Sequence, residues 1–213
     1  MKKLIFSLLL LFLSTASLQA QFLKNLGFKA GGTVSQHKNE YNIGSSPQFP
    51  APRIRVNAGI FGEFFNDPVF SMIGEINYVE KGARAEVFLT DAQHPDGTGE
   101  KMYLNIDNAL LDFSILAKAR LESPICTPYI FAGPKVDFEL NRNEISKTFY
   151  TESLYNTTRF GYKIGVGTEA VLFGIHFLTE VVYDQDFGYL FESPALKVST
   201  NTIEFKAGAF ISF

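Results

Sequence analysis

The chain has 213 residues, with 19 basic and 22 acidic side chains, 46% hydrophobic composition, and aromatic content carried by 22 Phe and 9 Tyr without any Trp. The formal charge of −3 speaks against nucleic acid as a partner, and the lone cysteine, Cys126, excludes an internal disulfide framework. No linker, low-complexity tract or charge run divides the chain, so one domain is expected, and its weight of Phe and Tyr favours strands over helices.

Lys2 and Lys3 precede an apolar run from Leu4 to Leu13, and Ser14, Thr15, Ala16 and Ser17 lead to Ala20. This predicts a secretory signal peptide over 1–20 and an exported domain over 21–213. The run is far shorter than the ~20 residues of a helical membrane span, and no later segment approaches that length.

Eight segments then alternate with a period of two, near 26–36, 53–65, 69–89, 102–121, 128–140, 158–172, 174–185 and 201–213. Such alternation predicts strands with one apolar face. In the second, Ile54, Val56, Ala58 and Ile60 oppose Arg55, Asn57 and Glu63; in the last, Ile203, Phe205, Ala207, Ala209 and Ile211 oppose Thr202, Glu204 and Lys206. The last segment is about the 9–11 residues a tilted strand needs to cross a bilayer. Strands three and four are longer, and in each the apolar set changes parity midway, near Gly82 and Asp107. A pair of bulges at one height is the expectation.

The connections alternate between long and short. Residues 37–52, 90–101, 141–157 and 186–200 are long and polar, whereas Asn66-Asp67-Pro68, Glu122 to Thr127, and Phe173-Gly174 are tight. Short turns at one end and long loops at the other are the habit of outer-membrane barrels. The predicted fold is therefore all-β: an eight-stranded antiparallel up-and-down transmembrane barrel, with both termini periplasmic and four long external loops.

On that reading the polar faces point inward. Lys29, Arg55, Lys118, Arg120, Lys135, Arg159, Lys163 and Lys206 share the lumen with Glu63, Glu75, Asp112, Asp137, Glu139, Glu169, Glu180, Asp184 and Glu204. A barrel of eight strands is only wide enough for side chains to fill it, so a network of ion pairs is expected rather than a wide pore. Its role is structural. No local signature marks two of these carboxylates for catalysis. His37, His94 and His176 have no Cys or second His at metal-ligand spacing, and Gly165-Val166-Gly167 lies inside a strand with no helix behind it to cradle a phosphate. No catalytic residue, cofactor or metal is assigned. Tyr103, Phe149, Tyr150, Tyr155, Tyr189 and Phe191 lie near loop boundaries, where barrels carry aromatic girdles.

Three stretches, Tyr78-Val79-Glu80-Lys81-Gly82-Ala83-Arg84, Tyr103-Leu104-Asn105-Ile106 and Pro128-Tyr129-Ile130-Phe131-Ala132-Gly133-Pro134, resemble the PorT-like outer-membrane β-barrel family of Bacteroidetes. Asp107 stands where that family often has a proline. The resemblance implies an outer-membrane location in a Gram-negative cell, with outer-membrane lipid and the barrel-insertion machinery as partners. Ending on Phe213 resembles the final strand of such barrels, where the terminal Phe forms part of the insertion signal. The function expected is a non-enzymatic integral barrel whose external loops stabilise the surface or bind a protein partner. The alternatives are a small porin-like channel or an outer-membrane component of a secretion apparatus and, ranked lower, a lipid-modifying enzyme.

Overall fold

The computed structural model describes residues 23–41, 51–65, 67–88, 100–121, 123, 126–150 and 152–213. The segment read as a signal peptide, His94 and most of the loop expected over 90–101 lie outside the described residues.

Among the described residues, nine strands form a single antiparallel sheet. They are β1 (Leu23–Tyr41), β2 (Ala51–Phe64), β3 (Phe70–Phe88), β4 (Lys101–Arg120), β5 (Thr127–Arg142), β6 (Thr158–Leu172), β7 (Ile175–Asp186), β8 (Phe191–Glu192) and β9 (Leu196–Ser212). From β1 to β7 each strand pairs with the next, β9 pairs with β7, and the β1–β9 ladder from Asn25↔Ser212 to Tyr41↔Leu196 closes the ring. Eight strands therefore make a closed up-and-down barrel. The two-residue β8 only adds to the outer stretch of β9, at Phe191↔Val198 and Glu192↔Lys197.

Several strands run farther toward the loop end than the side-chain pattern predicted. β1 reaches Tyr41, β5 reaches Arg142 and β9 begins at Leu196. The backbone ladder persists there, with pairs such as Lys38↔Ser199, and in β1 the run His37-Lys38-Asn39-Glu40 is polar on both faces and leaves no alternation to read. The loop expected over 141–157 contains a short helix, α1 (Glu144–Phe149), whose Asn143 side chain accepts the Ser146 N–H at 2.9 Å.

At the opposite end the turns are tight, as their chemistry dictates. The Asp67 carboxylate accepts the N–H groups of Phe70 at 2.8 Å and Val69 at 2.9 Å, and those two donors hold its carboxyl below the usual carboxylate range. Phe173 and Gly174 form a two-residue hairpin with φ of 54° and 78°. That geometry matches the primed turns favoured by twisted strands.

The bulges expected within the β3–β4 hairpin are absent. Gly82 does face Asp107, but the register runs without a break from Phe70↔Ala119 to Phe88↔Lys101. The irregularities fall instead on the outer edges of that hairpin, between Pro52 and Asn57 in β2 and between Ala109 and Leu110 in β4. The apolar set changes parity because the contents of the interior change with height. Ala83 and Ile106 point inward like Lys81 and Asn108, but into an apolar layer.

Closing so small a ring forces the backbones together. A Cβ on Gly31 would sit 2.8 Å from the carbonyl carbon of Phe205 and 2.9 Å from Cα of Lys206, at the seam where β1 meets β9. Gly31→Val is expected to cost about 1–3 kcal/mol through overpacking, seen as a lower urea midpoint for barrels refolded in lipid vesicles. An unchanged midpoint would contradict this.

Candidate functional site

Alternation along each strand sorts the side chains onto two surfaces. Phe28, Ile60, Ile115, Ile130, Phe160 and Phe205 are exposed on the outer wall, Phe160 at 65%, while Lys163 on the same strand as Phe160 is fully buried. The interior is built in layers, and spacings of two place successive charges of one strand on the same inner face.

Nearest the turn end, Glu63 receives Arg120 and Lys118, the latter at 3.1 Å, together with the Asn25 amide at 2.8 Å. Lys118 also meets Glu169, and its Nζ stands 4.2 Å from the centroid of the Tyr129 ring. Below this layer lies a vestibule of about 280 Å³ lined by Lys24, Arg120, Cys126, Glu169 and His176 among others. Among these charges runs a buried group of Phe61, Ile73, Leu116, Tyr129, Phe131, Leu178, Val182 and Phe210, which fills the space the charges leave.

In the middle of the barrel, Lys29 lies between Glu75 at 2.6 Å and Glu180 at 2.7 Å, and the Tyr129 hydroxyl donates to Glu180 at 2.7 Å. Lys206 pairs with Glu204 at 2.6 Å and reaches Glu75 at 3.7 Å. Lys163 pairs with Asp112 at 2.5 Å and reaches Glu204 at 3.9 Å. The Asn77 amide bridges Glu75 and Asp112, at 3.1 and 3.0 Å.

The third layer is the densest. Lys81 bonds Asp137 at 3.0 Å and Asp184 at 2.7 Å, while Lys135 touches Asp137, Asp184 and Asp186 at 2.7, 2.5 and 2.6 Å. Arg159 meets Asp186 at 3.3 Å. Taking this many charges out of water carries a desolvation cost that only mutual pairing offsets, and each of these three cations has at least one carboxylate partner.

Above the charges the loop-end segments fold inward. Tyr150, Tyr155, Leu190, Phe191 and Val198 pack with Ala83 and Ile106 in a buried apolar cluster, and Arg142 lies over the Tyr155 ring at 3.9 Å while bonding Glu139 at 3.0 Å. His37 Nδ1 lies 3.2 Å from the Tyr150 hydroxyl. Tyr150, Tyr155 and Phe191 are thus interior residues and not part of an exposed girdle, whereas Tyr103 is exposed. The side chain of Phe149 lies outside those described.

Arg55 requires a correction. The structure places it with Arg53 on the carboxylate of Asp107 rather than in the interior: Arg53 Nη2 lies 2.9 Å from Oδ2 and Arg55 Nε lies 2.8 Å from Oδ1. Asp107 stands on the outward row of β4 with Tyr103 and Asn105, and Gly82 leaves room for it, since a Cβ there would lie 2.9 Å from Asp107 Oδ1 and 3.3 Å from Arg53 Cδ. β2 separates from β3 between Pro52 and Asn57, the stretch that carries both arginines. The other expected lumen residues are inside. Lys81 and Asp186 join them unforeseen, Asp186 because it was assigned to a loop.

Among the described residues no group of His, Cys, Asp or Glu is arranged to hold a metal ion. Phe213 ends the chain beside β1, its N–H donating to Lys24 O at 2.9 Å. A family model for the outer membrane protein beta-barrel domain matches residues 19–192. The chain belongs to this family. Among solved structures, the outer membrane protein OprG from Pseudomonas aeruginosa is similar over 92% of this chain and 99% of that one, at 10% identity and a TM-score of 0.53, which shows the fold. Neisserial surface protein A matches over 88% and 97% at 12% identity with a TM-score of 0.47, and the attachment invasion locus protein Ail of Yersinia pestis over 88% and 99% at 13% identity with 0.37. No curated protein matches. As a member of the outer membrane beta-barrel domain family, the protein resides in the outer membrane, and its apolar outer wall is the surface that lipid covers.

Proposed function

We propose that this protein is a closed, non-enzymatic scaffold of the PorT-like branch, exported through a signal peptide over 1–20, that holds its loop end at the cell surface for contact with a protein partner. The observation that carries this reading is an interior occupied layer upon layer by paired side chains and roofed by Tyr150, Tyr155, Leu190 and Phe191. Among the described residues, side chains occupy the lumen at each of these heights, unlike the wide barrels that conduct. The orientation follows from tight turns at the end where β1 begins and β9 ends and long connections at the other, which in this class of barrel face the periplasm and the exterior respectively.

The test is electrical. Purified barrel in planar bilayers is expected to give no reproducible unitary conductance with salts of different ions, and a steady, solute-dependent conductance would overturn the closed reading in favour of a small channel. Crosslinking from intact cells through a residue of the 186–200 region is expected to capture a protein partner outside the membrane.

A further inference from the structure

One group of charges lies outside the internal network. Arg53 and Arg55 each use Nε and Nη2 on the single carboxylate of Asp107. Two guanidiniums on one carboxylate leave a net positive charge, and the Nη1 edge of each is not used by Asp107. The neighbouring outward charges are Glu80, which accepts from the Tyr78 hydroxyl at 2.8 Å, and Arg84, whose Nε lies 3.3 Å from Asn105 Oδ1. Among the described side chains, three guanidiniums thus face two carboxylates on this part of the outer wall.

The position is held firmly, although β2 is detached from β3. The Ser35 hydroxyl accepts the Gly82 N–H at 2.6 Å and lies 2.8 Å from Gly82 O, and Thr33 donates to Glu80 O at 2.6 Å, so β1 takes over the ladder partners that β2 gave up. From Phe70 at the turn end to Gly82 the strand climbs roughly 30 Å along the membrane normal, for a rise of ~3.4 Å per residue and a tilt of ~40°. That is just above an apolar band of about 25 Å, at headgroup level.

Directly below, the wall is apolar and grooved. Ile54, between the two arginines, and Val56, one residue toward the turn end, are 74% and 56% exposed, and lower down Gly62 faces Gly74 across β2 and β3, flooring a groove of about 700 Å³ lined by Ile60, Ile76, Phe113 and Ile115 among others. Cationic donors at headgroup height with a groove for a chain beneath them match one amphiphile. We infer that Arg53 and Arg55 bind the phosphate of an outer-leaflet phosphorylated lipid whose acyl chain lies along β2 and β3. Guanidinium recognises phosphate through short, charge-assisted hydrogen bonds, and Asp107 keeps the two forks aligned while the site is unfilled. The assignment to the outer leaflet rests on the orientation proposed above.

Native mass spectrometry of the full chain in detergent micelles tests it, with bisphosphorylated lipid A as the probe. Wild type is expected to retain one lipid adduct, and the Arg53→Gln, Arg55→Gln double variant to bind about tenfold more weakly, the worth of one charge-assisted contact. Lys147→Gln, which removes a cation elsewhere on the surface, should bind as wild type does. If the double variant does not refold, dephosphorylated lipid A on the wild-type barrel provides the same comparison and is expected to leave no adduct. Equal binding of both lipids, equal loss in Lys147→Gln, or displacement of the adduct by inorganic phosphate alone would overturn the lipid site. Micelles have no sidedness, so this result stands apart from orientation, which protease access to the 186–200 region in intact cells reads separately.

Discussion

Lys135→Met is expected to lower the unfolding free energy of the barrel by roughly 3–5 kcal/mol, the range for removing one partner from a buried ion pair. Lys135 is buried, and its ammonium touches Asp137, Asp184 and Asp186 at 2.5–2.7 Å. Methionine fills nearly the same volume, so cavity formation contributes little and the loss reports uncompensated charge. After the substitution, three carboxylates share Lys81 and Arg159. Water cannot reach them easily because the apolar cluster of Tyr150, Tyr155 and Leu190 lies above. Adding Asp186→Asn to Lys135→Met removes one surplus charge and is expected to recover part of the loss, which also shows that the two sites interact. The measurement is urea unfolding in lipid vesicles followed by far-ultraviolet circular dichroism. A single-variant loss below about 1 kcal/mol, the size of an exposed pair, would mean that the third layer is hydrated rather than sealed.

The same layer shows what side-chain alternation could and could not reveal. Strand number, antiparallel order and the inward placement of Glu63, Glu75, Lys163 and Lys206 follow from a period of two, since a closed ring with lipid outside leaves each strand only one face for charge. The parity change read at Gly82 came from the assumption that an inward residue in a barrel is polar. Ala83 and Ile106 break that assumption because loop residues from distant parts of the chain, Tyr150 and Phe191 among them, descend to cover them. No local pattern announces such an inward fold, which depends on contacts between segments far apart in sequence. Arg55 misled in the opposite direction. Its parity is that of an inward residue, but β2 leaves β3 between Pro52 and Asn57, and a long flexible side chain near a gap is governed by the nearest carboxylate, here Asp107, rather than by the pleat. The ends of β1, β5 and β9 were underestimated for a third reason: ladder hydrogen bonds do not require a contrast between faces, so strands outlast the pattern that reveals them.

Ala207→Arg is the second large expectation, a loss of roughly 2–4 kcal/mol for a cation on the lipid face near the bilayer midplane. Ala207 is exposed on β9, between Ala30 of β1 and Thr179 of β7, while the adjacent Lys206 is buried. From Ser212 to Ala207 the strand rises roughly 13 Å along the membrane normal, for a rise of ~3.4 Å per residue and a tilt of ~40°, about half of the ~25 Å apolar band. Among the described residues, arginine there has no carboxylate on the outer wall at its own height, and its side chain must stretch toward a headgroup region more than a residue length away. Ala207→Leu keeps the surface apolar and is expected to leave stability within about 0.5 kcal/mol, the usual range for surface substitutions away from special features, so the contrast between the two variants isolates charge from size. In detergent micelles, whose thin and deformable shell lets water approach, the arginine penalty should shrink. A penalty equal in vesicles and micelles would place the cost in packing against β1 or β7 instead of in lipid, and no penalty in either would mean that the wall around Ala207 is not covered by hydrocarbon.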